Sequence, residues 1–360
     1  MTQPMEGVSS ALRRLAAATG SDDGPLGVQF YVSLDGEPLC DVALGDRRPG
    51  GRPVTSDDVF PWMCACKPVT VIALAQLYDQ GQLTTDTPVA KIVPEYAGVG
   101  KQDVTIHHLL THTALLPRPE RDLWTGDRAA ALTWAYEQPL LAAPGERAAY
   151  SSFDAWLVLS EVVERLVGTD FLDHIRTHVL EPLDLGGAFF AGPGRTPPED
   201  VLFDRSADNS LTPSADFAFF TRHGWPGVGM WGTAAELARP LECVVAGGTW
   251  RGNTLISREA VEHFFTPVRR GIPDESFSGM ELTWSRGLCT DPAWFGAHAK
   301  ANVAGHTADQ RTSFVLGDHD QRLVISYVSN TVLLQPSVRR RMDTLMLVGD
   351  ILGRNRGSGR

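Results

Sequence analysis

Cys64 and Lys67 stand three positions apart at the start of an apolar segment, and their residue types are typical of nucleophilic catalysis. Pro68 follows directly, and because proline is tolerated only in the opening turn of a helix, a helix is predicted to begin near Cys64. Residues three apart share a helix face, so the amine can approach the thiol. The unpaired N–H groups of a helix start and a nearby cation both favour a thiolate. The pair is therefore a candidate nucleophile and base.

A purely structural role is the competing interpretation of this segment. Residues 69–75 are apolar almost all round, which predicts a buried helix that Gly81 is well placed to end. A cysteine in such a helix more often packs in the core than reacts. Cys66 lies next to Lys67 and should point elsewhere, so we assign it to packing. The spacing alone leaves both interpretations of Cys64 open.

The composition is that of an ordinary globular chain. Its 360 residues, 43% hydrophobic and 21% charged, predict one large domain or two closely packed ones. The formal net charge of -11 argues against nucleic acid or an anionic membrane as a partner. No stretch approaches the roughly 18 apolar residues of a membrane span, and residues 1–20 do not resemble a signal peptide. Five scattered cysteines predict reduced thiols, and we expect a cytoplasmic protein.

Strand-like segments occur at both ends of the chain. Residues 27–34 and 38–45 flank Asp35-Gly36, a strong hairpin signal, and 312–316 with 322–329 form a second hairpin. A helix is predicted over 337–352. One antiparallel sheet built from both termini around a helix-rich middle is an α+β arrangement.

Helical periodicity dominates the middle of the chain, at 105–112, 154–167, 171–179 and 234–245. The segment 187–226 is rich in glycine and proline and is predicted to be irregular.

A set of motifs in this order resembles the family of class C β-lactamases, penicillin-binding proteins, D-amino-acid peptidases and related esterases. In that family a Ser-x-x-Lys motif opens the central helix, where this chain has Cys64-x-x-Lys67. The other matching segments are Asp86-Thr87-Pro88-Val89, Thr105 to Thr113, Tyr150-Ser151-Ser152, Glu181 to Leu185 and Gly305-His306-Thr307-Ala308. The resemblance implies a β-lactamase/transpeptidase-like fold, with an antiparallel sheet flanked by helices and an all-helical domain.

The same resemblance implies a division of the chain. Residues 1–82 and 278–360 would form the α/β sheet domain and 83–277 the helical domain, with the active site in the cleft between them.

Matching positions in the family imply a role for each site residue. Cys64 would be the nucleophile and Lys67 the base that takes its proton. Tyr150 would relay a proton to the leaving group, and His306 would hold Tyr150 or the substrate. The N–H groups of Cys64 and Asp309 would form the oxyanion hole. Acyl transfer needs an activated nucleophile, a proton shuttle and such donors.

The chain departs from the family pattern at three of these positions. Cysteine replaces serine at Cys64, serine replaces asparagine at Ser152, and alanine replaces glycine at Ala308, so ordinary β-lactam hydrolysis is not expected. Thr307 and Ala308 are expected to bind substrate on the strand beside the site. Trp231 is expected to border the cleft, as the corresponding segment does in relatives.

The cysteine indicates transfer rather than hydrolysis, because thioesters react with amines more readily than oxygen esters do. We predict an ATP-independent transacylase that moves an acyl group from an activated ester to an amine acceptor, in secondary-metabolite (antibiotic) biosynthesis. Residues 98–101 fail the phosphate-loop pattern. The partners are a small-molecule acyl donor and an amine; the sequence predicts neither their identity nor an oligomeric state.

Two other functions fit the same residues, and a metal site has to be considered as well. The chain could instead be a cysteine-dependent esterase, amidase or peptidase, or a non-catalytic homologue that only binds a ligand. Retention of both Lys67 and Tyr150 argues against the second alternative. His107, His108 and His112 invite a metal, but no Glu or Cys ligand lies nearby. We therefore expect no metal and no cofactor.

Overall fold

Strands from both ends of the chain form one antiparallel sheet in the computed structural model. Its strands are β1 (Gly27–Leu34), β2 (Glu37–Gly45), β10 (Val303–Thr307), β11 (Ser313–Asp318) and β12 (Leu323–Ser329), in the order β10–β11–β12–β1–β2. Elements are numbered in chain order within the described residues, which are 13, 15–17, 19, 21, 24–98, 100–117, 127–192, 194–198, 201–214, 223–296, 298–308 and 312–334.

The register joins the two ends of the chain directly. β1 pairs with β12 from Val28 opposite Ser329 to Leu34 opposite Leu323. Both strands are buried along almost their whole length, as expected of central strands covered on both faces. Asp35 and Gly36 both have positive φ, 54° and 76°, which is the turn that matches the twist of a two-residue hairpin. The predicted hairpins and the α+β class are confirmed.

The predicted central helix is preceded by a tighter turn. A 3₁₀ turn covers Met63–Cys66 and runs into α1 (Lys67–Asp79), whose first nine residues are all buried. Pro68 occupies the opening turn, where its missing N–H costs no hydrogen bond. Gly81 follows with φ +67°, a conformation that glycine adopts without strain. The helix therefore starts three residues later than Cys64.

Eight further α-helices have both of their ends within the described ranges. They are α2 (Val89–Ile92), α3 (Ile106–Leu110), α4 (Arg128–Glu137), α5 (Asp154–Val167), α6 (Phe171–Ile175), α7 (Ala234–Val245), α8 (Arg258–Phe265) and α9 (Pro292–Phe295). The bounds of α5 and α7 are those predicted. The predicted helix over 171–179 is divided, because a π-helical turn, Arg176–Leu180, follows α6.

Helix α7 packs on the central sheet, against β1, β11 and β12. This part of the segment 83–277 therefore belongs with the sheet, whereas the sequence assigned it to the helical domain. The pattern of α7 shows an apolar face but not which layer that face covers.

Short strands connect the helical part to the turn that carries Cys64. β3 (Phe60–Pro61), β7 (Met230–Gly232) and β4 (Phe189–Phe190) form a three-stranded sheet in the order β3–β7–β4. The segment 187–226, predicted to be irregular, also contains β5 (Phe203–Arg205) and β6 (Leu211–Pro213). The remaining short strands are β8 (Thr249–Trp250), β9 (Asn253–Thr254) and β13 (Thr331–Val332).

The helix predicted over 337–352 lies outside the described residues. Of the helices that are described, none is long and apolar enough to cross a membrane.

Candidate active site

The turn that carries Cys64 is anchored on both sides. The Trp62 N–H donates to the Met230 carbonyl at 2.8 Å, and the Ser313 hydroxyl donates to the Trp62 carbonyl. Met63 has φ +48°, a left-handed conformation that is rare for a residue with its side chain and that concentrates at functional sites. The surrounding contacts therefore hold a strained residue immediately before the candidate nucleophile.

The two cysteines of this turn face different environments. Cys66 is buried in the main hydrophobic core, and burial raises the pKa of its thiol to about 12. Cys64 instead packs in a separate small cluster that includes Phe153, Trp225 and Val228, and it keeps 6% of its surface exposed. Cys66 is the packing residue that the sequence predicts. Cys64 is the thiol that faces the candidate site.

An apolar cluster packs beside Cys64. Helix α4 and the start of α5 contribute side chains to the cluster, and Tyr150 packs against its edge. The buried members other than Cys64 are Ala131, Leu132, Phe153, Leu157, Trp225 and Val228. An acyl group attached to Cys64 would therefore contact hydrocarbon and aromatic rings.

Lys67 is fully buried, and its amine is held by two backbone carbonyls. Nζ donates to the Ser152 carbonyl at 3.1 Å and to the Gly227 carbonyl at 2.9 Å. It also lies 5.1 Å from the ring centroid of Trp156 and 5.4 Å from that of Tyr150. Its two carbonyl partners and both rings are neutral, so the ammonium has no counter-ion among these contacts.

Lys67 and the cluster around Cys64 contact the same two segments. Phe153 and Val228, which pack against Cys64, directly follow the two residues whose carbonyls bind the Lys67 amine. Gly227 allows this approach, because it has φ +84° and an added Cβ would lie 2.8 Å from the Trp156 ring. The amine and the thiol therefore share the same two flanking segments.

Tyr150 and His306 form the other side of the site. The Tyr150 hydroxyl lies 3.4 Å from His306 Nε2, and His306 Nδ1 lies 3.0 Å from the Thr307 carbonyl. Because a carbonyl only accepts, Nδ1 carries the proton in this arrangement and Nε2 is free to accept the Tyr150 hydroxyl proton. Burial and the Lys67 charge hold the pKa of His306 well below its ordinary value. The imidazole is therefore neutral near pH 7.

His112 and Trp284 pack on Tyr150 and were not predicted as site residues. Their ring centroids lie 4.6 and 5.7 Å from that of Tyr150, and the two rings also contact each other. His112 Nδ1 accepts the Ser151 N–H at 3.2 Å. Burial, together with the Arg269 and Lys67 charges, keeps the pKa of His112 well below its ordinary value. Only the Thr-His-Thr motif around His112 marked this position in the sequence.

One of the two expected oxyanion donors lies in the described residues. The Cys64 N–H donates to no acceptor within those ranges, so it is available to a substrate oxygen. The Ala308 N–H is already used, since it donates to the Ser313 carbonyl at 2.8 Å. Asp309, whose N–H the resemblance implies as the second donor, lies outside the described residues.

The remaining predicted site residues make different kinds of contact. Ser152 presents its carbonyl to Lys67 and leaves its side chain exposed. The Thr307 hydroxyl accepts the Trp294 indole N–H at 3.0 Å. Trp231 packs in a cluster with Phe189, Ala191 and Val201, which is distinct from the Cys64 cluster, and its place beside the cleft stays a prediction. Side chains alternate along β7, and Met230 takes the core-facing position.

The histidines at 107, 108 and 112 do not assemble into a metal site. His108 Nδ1 accepts the Thr105 N–H at 3.1 Å and so helps to cap α3. Over the described part of the chain, no three His, Cys, Asp or Glu side chains come together in a metal-binding arrangement.

Comparison with known proteins identifies the family. A family model described as Beta-lactamase matches residues 12–349, nearly the whole chain. The chain belongs to the beta-lactamase family. Its relatives include Esterase EstB of Burkholderia gladioli, which is 30% identical over 269 residues that cover 64% of this chain and 68% of EstB. Acyltransferase calJ of Penicillium decumbens is 29% identical over 208 residues, or 44% of this chain and 49% of calJ.

The fold agrees with this family membership. A crystal structure of a penicillin-binding protein homologue from Caulobacter crescentus matches 95% of this chain and 97% of its own, with a TM-score of 0.78 at 23% identity. The predicted resemblance and the β-lactamase/transpeptidase-like fold are confirmed. Relatives named as an esterase and an acyltransferase support an enzyme of acyl chemistry.

Proposed function

We propose that this protein is an ATP-independent transacylase, which takes an acyl group from an activated ester onto Cys64 and passes it to an amine. The observation that carries the proposal is the shared environment of Cys64 and Lys67. The amine is bound by the carbonyls of Ser152 and Gly227, and the thiol packs against the residues that follow them. A cysteine nucleophile and a buried amine base on these shared segments are the parts that covalent acyl transfer requires.

The two carbonyls suit a base that gains and loses a proton. A neutral Lys67 amine has two N–H groups, one for each carbonyl, and a lone pair left for the Cys64 proton. After that transfer the ammonium keeps both hydrogen bonds.

The reaction then proceeds in two balanced halves. The Cys64 thiolate attacks the ester carbonyl, the C–O bond breaks, and the alkoxide takes a proton delivered from Lys67 through Tyr150. The amine next attacks the thioester and gives its proton back by the same route, and the C–S bond breaks to regenerate the thiolate. His306 Nε2 holds the Tyr150 hydroxyl during both halves. The Cys64 N–H donates to the oxygen of each tetrahedral intermediate.

The apolar wall around Cys64 supports transfer over hydrolysis. Water finds few partners beside Phe153, Trp225 and Val228, whereas an amine carried by an organic group gains contact with them. Thioesters also favour amines over water more strongly than oxygen esters do. The acyltransferase named among the relatives is consistent with this outcome. We place the reaction in secondary-metabolite biosynthesis and in the cytoplasm as part of the same proposal.

Hydrolysis is the second candidate, because a relative 30% identical over 269 residues is named an esterase. It would use the same Cys64 thioester and differ only in the final acceptor. A ligand-binding homologue without turnover is disfavoured, because a pure binder has no need for the buried Lys67 amine or the contact between Tyr150 and His306.

Product partition tests the proposal. The protein is incubated with an activated aryl ester and increasing concentrations of a primary amine, and the amide and free acid are measured by mass spectrometry. We expect the amide to rise with amine concentration until it dominates. Free acid as the sole product at every amine concentration contradicts transfer and supports the esterase.

Variants at one position provide the matched controls. Cys64→Ser should keep acylation at a reduced rate and move the partition towards acid, because an oxygen ester discriminates less in favour of amines. Cys64→Ala should abolish both products. Full activity of Cys64→Ala contradicts every covalent mechanism proposed for this site.

A further inference from the structure

A buried ion pair lies next to the Tyr150 segment of the candidate site, and neither of its residues takes part in the proposed reaction. Arg269 Nη2 contacts Asp274 Oδ2 at 2.9 Å, and the two side chains keep only 2% and 0% of their surface exposed. Buried ion pairs are weak sources of stability, because the loss of hydration offsets most of the attraction between the charges. Their other established use is to fix one arrangement of the groups around them.

Asp274 holds the backbone of Tyr150. Its Oδ1 accepts the Tyr150 N–H at 3.1 Å and the Ser276 N–H at 3.1 Å. The Ser276 hydroxyl in turn donates to the Tyr150 carbonyl at 3.3 Å. One short turn therefore binds both backbone polar groups of the tyrosine.

Arg269 holds the segment that packs on the Tyr150 ring. Its Nη1 donates to the Thr111 carbonyl at 2.9 Å, directly before His112, and its guanidinium lies 5.4 Å from the Trp284 ring centroid. His112 and Trp284 are the two rings that pack against Tyr150. The ion pair therefore joins the tyrosine to its supporting rings.

We propose that Arg269 and Asp274 are positioning residues for Tyr150, an inference that rests on the proposed function of Tyr150 as proton relay. The contact from the Tyr150 hydroxyl to His306 Nε2 is long, at 3.4 Å, so a small displacement of the ring breaks it. Misplacement of a reacting group by about 1 Å can cost a rate factor on the order of 100. The pair keeps the phenol within reach of His306 Nε2.

A double-mutant cycle with Tyr150→Phe separates positioning from general weakening of the fold. Turnover of an activated aryl ester in the presence of amine is measured for the wild type, Asp274→Asn, Tyr150→Phe and the double variant. The good leaving group keeps Tyr150→Phe measurable, because it departs without a proton. We expect Asp274→Asn to lower kcat by roughly 10- to 100-fold with little change in KM. In the Tyr150→Phe background it should change kcat less than about twofold.

Two further variants complete the design. Glu275→Gln is the matched control, because Glu275 is adjacent and makes an exposed ion pair with Arg147, at 2.6 Å; it should leave kcat unchanged. Arg269→Lys keeps the charge but loses the planar fork that reaches both Asp274 and Thr111, so a smaller loss should appear and should also vanish with Tyr150→Phe. It provides a second route if Asp274→Asn folds poorly.

The outcomes are distinct from those of the proposed function. Equal losses from Asp274→Asn in both backgrounds, or an unchanged kcat in the Tyr150-containing protein, overturn the positioning role. Wild-type turnover without an adduct on Cys64 instead refutes the thioester mechanism, and the coupling between Asp274 and Tyr150 is still measurable in that case.

Discussion

Replacement of Lys67 by methionine can separate the loss of a catalytic base from a loss of stability, because the chain contains a second lysine in a matching environment. Lys101 is also fully buried, donates to two backbone carbonyls, those of Ala135 and Tyr136, at 2.6 and 2.8 Å, and lies 4.7 Å from the Tyr96 ring centroid. Both carbonyls lie near the C-terminal end of α4, and no hydrogen bond of Lys101 involves the segments that hold Lys67. Lys101→Met is therefore the matched control for Lys67→Met.

The two substitutions should have similar effects on stability. Each leaves two carbonyls without a donor, one buried and one part-buried, and the buried one costs about 1–3 kcal/mol. Each also removes a buried ammonium, whose lost hydration costs several kcal/mol. These effects oppose each other, so we expect both variants to fold with free energies of unfolding within about 2 kcal/mol of one another.

Only Lys67→Met should lose reactivity. General-base assistance typically contributes about 10²–10⁴ in rate, so single-turnover acylation of Cys64 should fall by that factor. Lys101→Met should acylate within about threefold of the wild type. The assay is the release of the aryl leaving group in the first turnover, with urea unfolding measured on the same samples. Equal loss of acylation in both variants, or full acylation by Lys67→Met, refutes the assignment of Lys67 as base.

Three further predictions address other groups. Iodoacetamide near pH 7 should modify Cys64 and spare Cys66, because burial raises the pKa of the Cys66 thiol to about 12. Modification of both cysteines at equal rates, measured by peptide mass spectrometry, contradicts the different environments of the two thiols. Tyr150→Phe should lower aminolysis of the acyl-enzyme by about 10²–10³ while leaving iodoacetamide labelling of Cys64 nearly unchanged, as stopped-flow measurements can check. Burial raises the pKa of Glu242 in the folded protein above its value of about 4.3 in the unfolded chain. Protonated Glu242 therefore stabilises the fold at pH values below about 4.3, and this contribution is lost as the pH rises through the pKa of the folded state. Glu242→Gln should therefore gain stability relative to the wild type between pH 5 and pH 8 in urea titrations; a constant difference counts against this account.

The elements that carry their own local signal were predictable from the sequence. Alternation of apolar residues and the Asp35-Gly36 turn located β1 and β2, and α5 and α7 had predicted bounds identical to those observed. Pro68 and Gly81 bracketed the central helix, because proline is tolerated only in an opening turn and glycine readily adopts the left-handed conformation that follows a helix end. These effects depend only on the residue itself and its immediate neighbours, so they can be predicted from the sequence.

The arrangement around Tyr150 depends on contacts between distant segments and could not be predicted in the same way. Arg269 and Asp274 lie more than a hundred positions from Tyr150, and neither belongs to a recognisable motif. The choice of face for Trp231 depends on which side of a three-residue strand meets the core, and so short a strand shows no periodicity. The position of Lys67 between two carbonyls likewise requires the backbone of the 152 and 227 segments.

The most direct test of the account is the mass of the protein trapped during turnover. Acid quenching after addition of an ester, followed by peptide mapping, should show one acyl group attached to the peptide that contains Cys64, and its release by hydroxylamine or by an amine should restore the original mass. An unmodified protein under conditions of active turnover, or an acyl group on any other residue, contradicts the thioester mechanism.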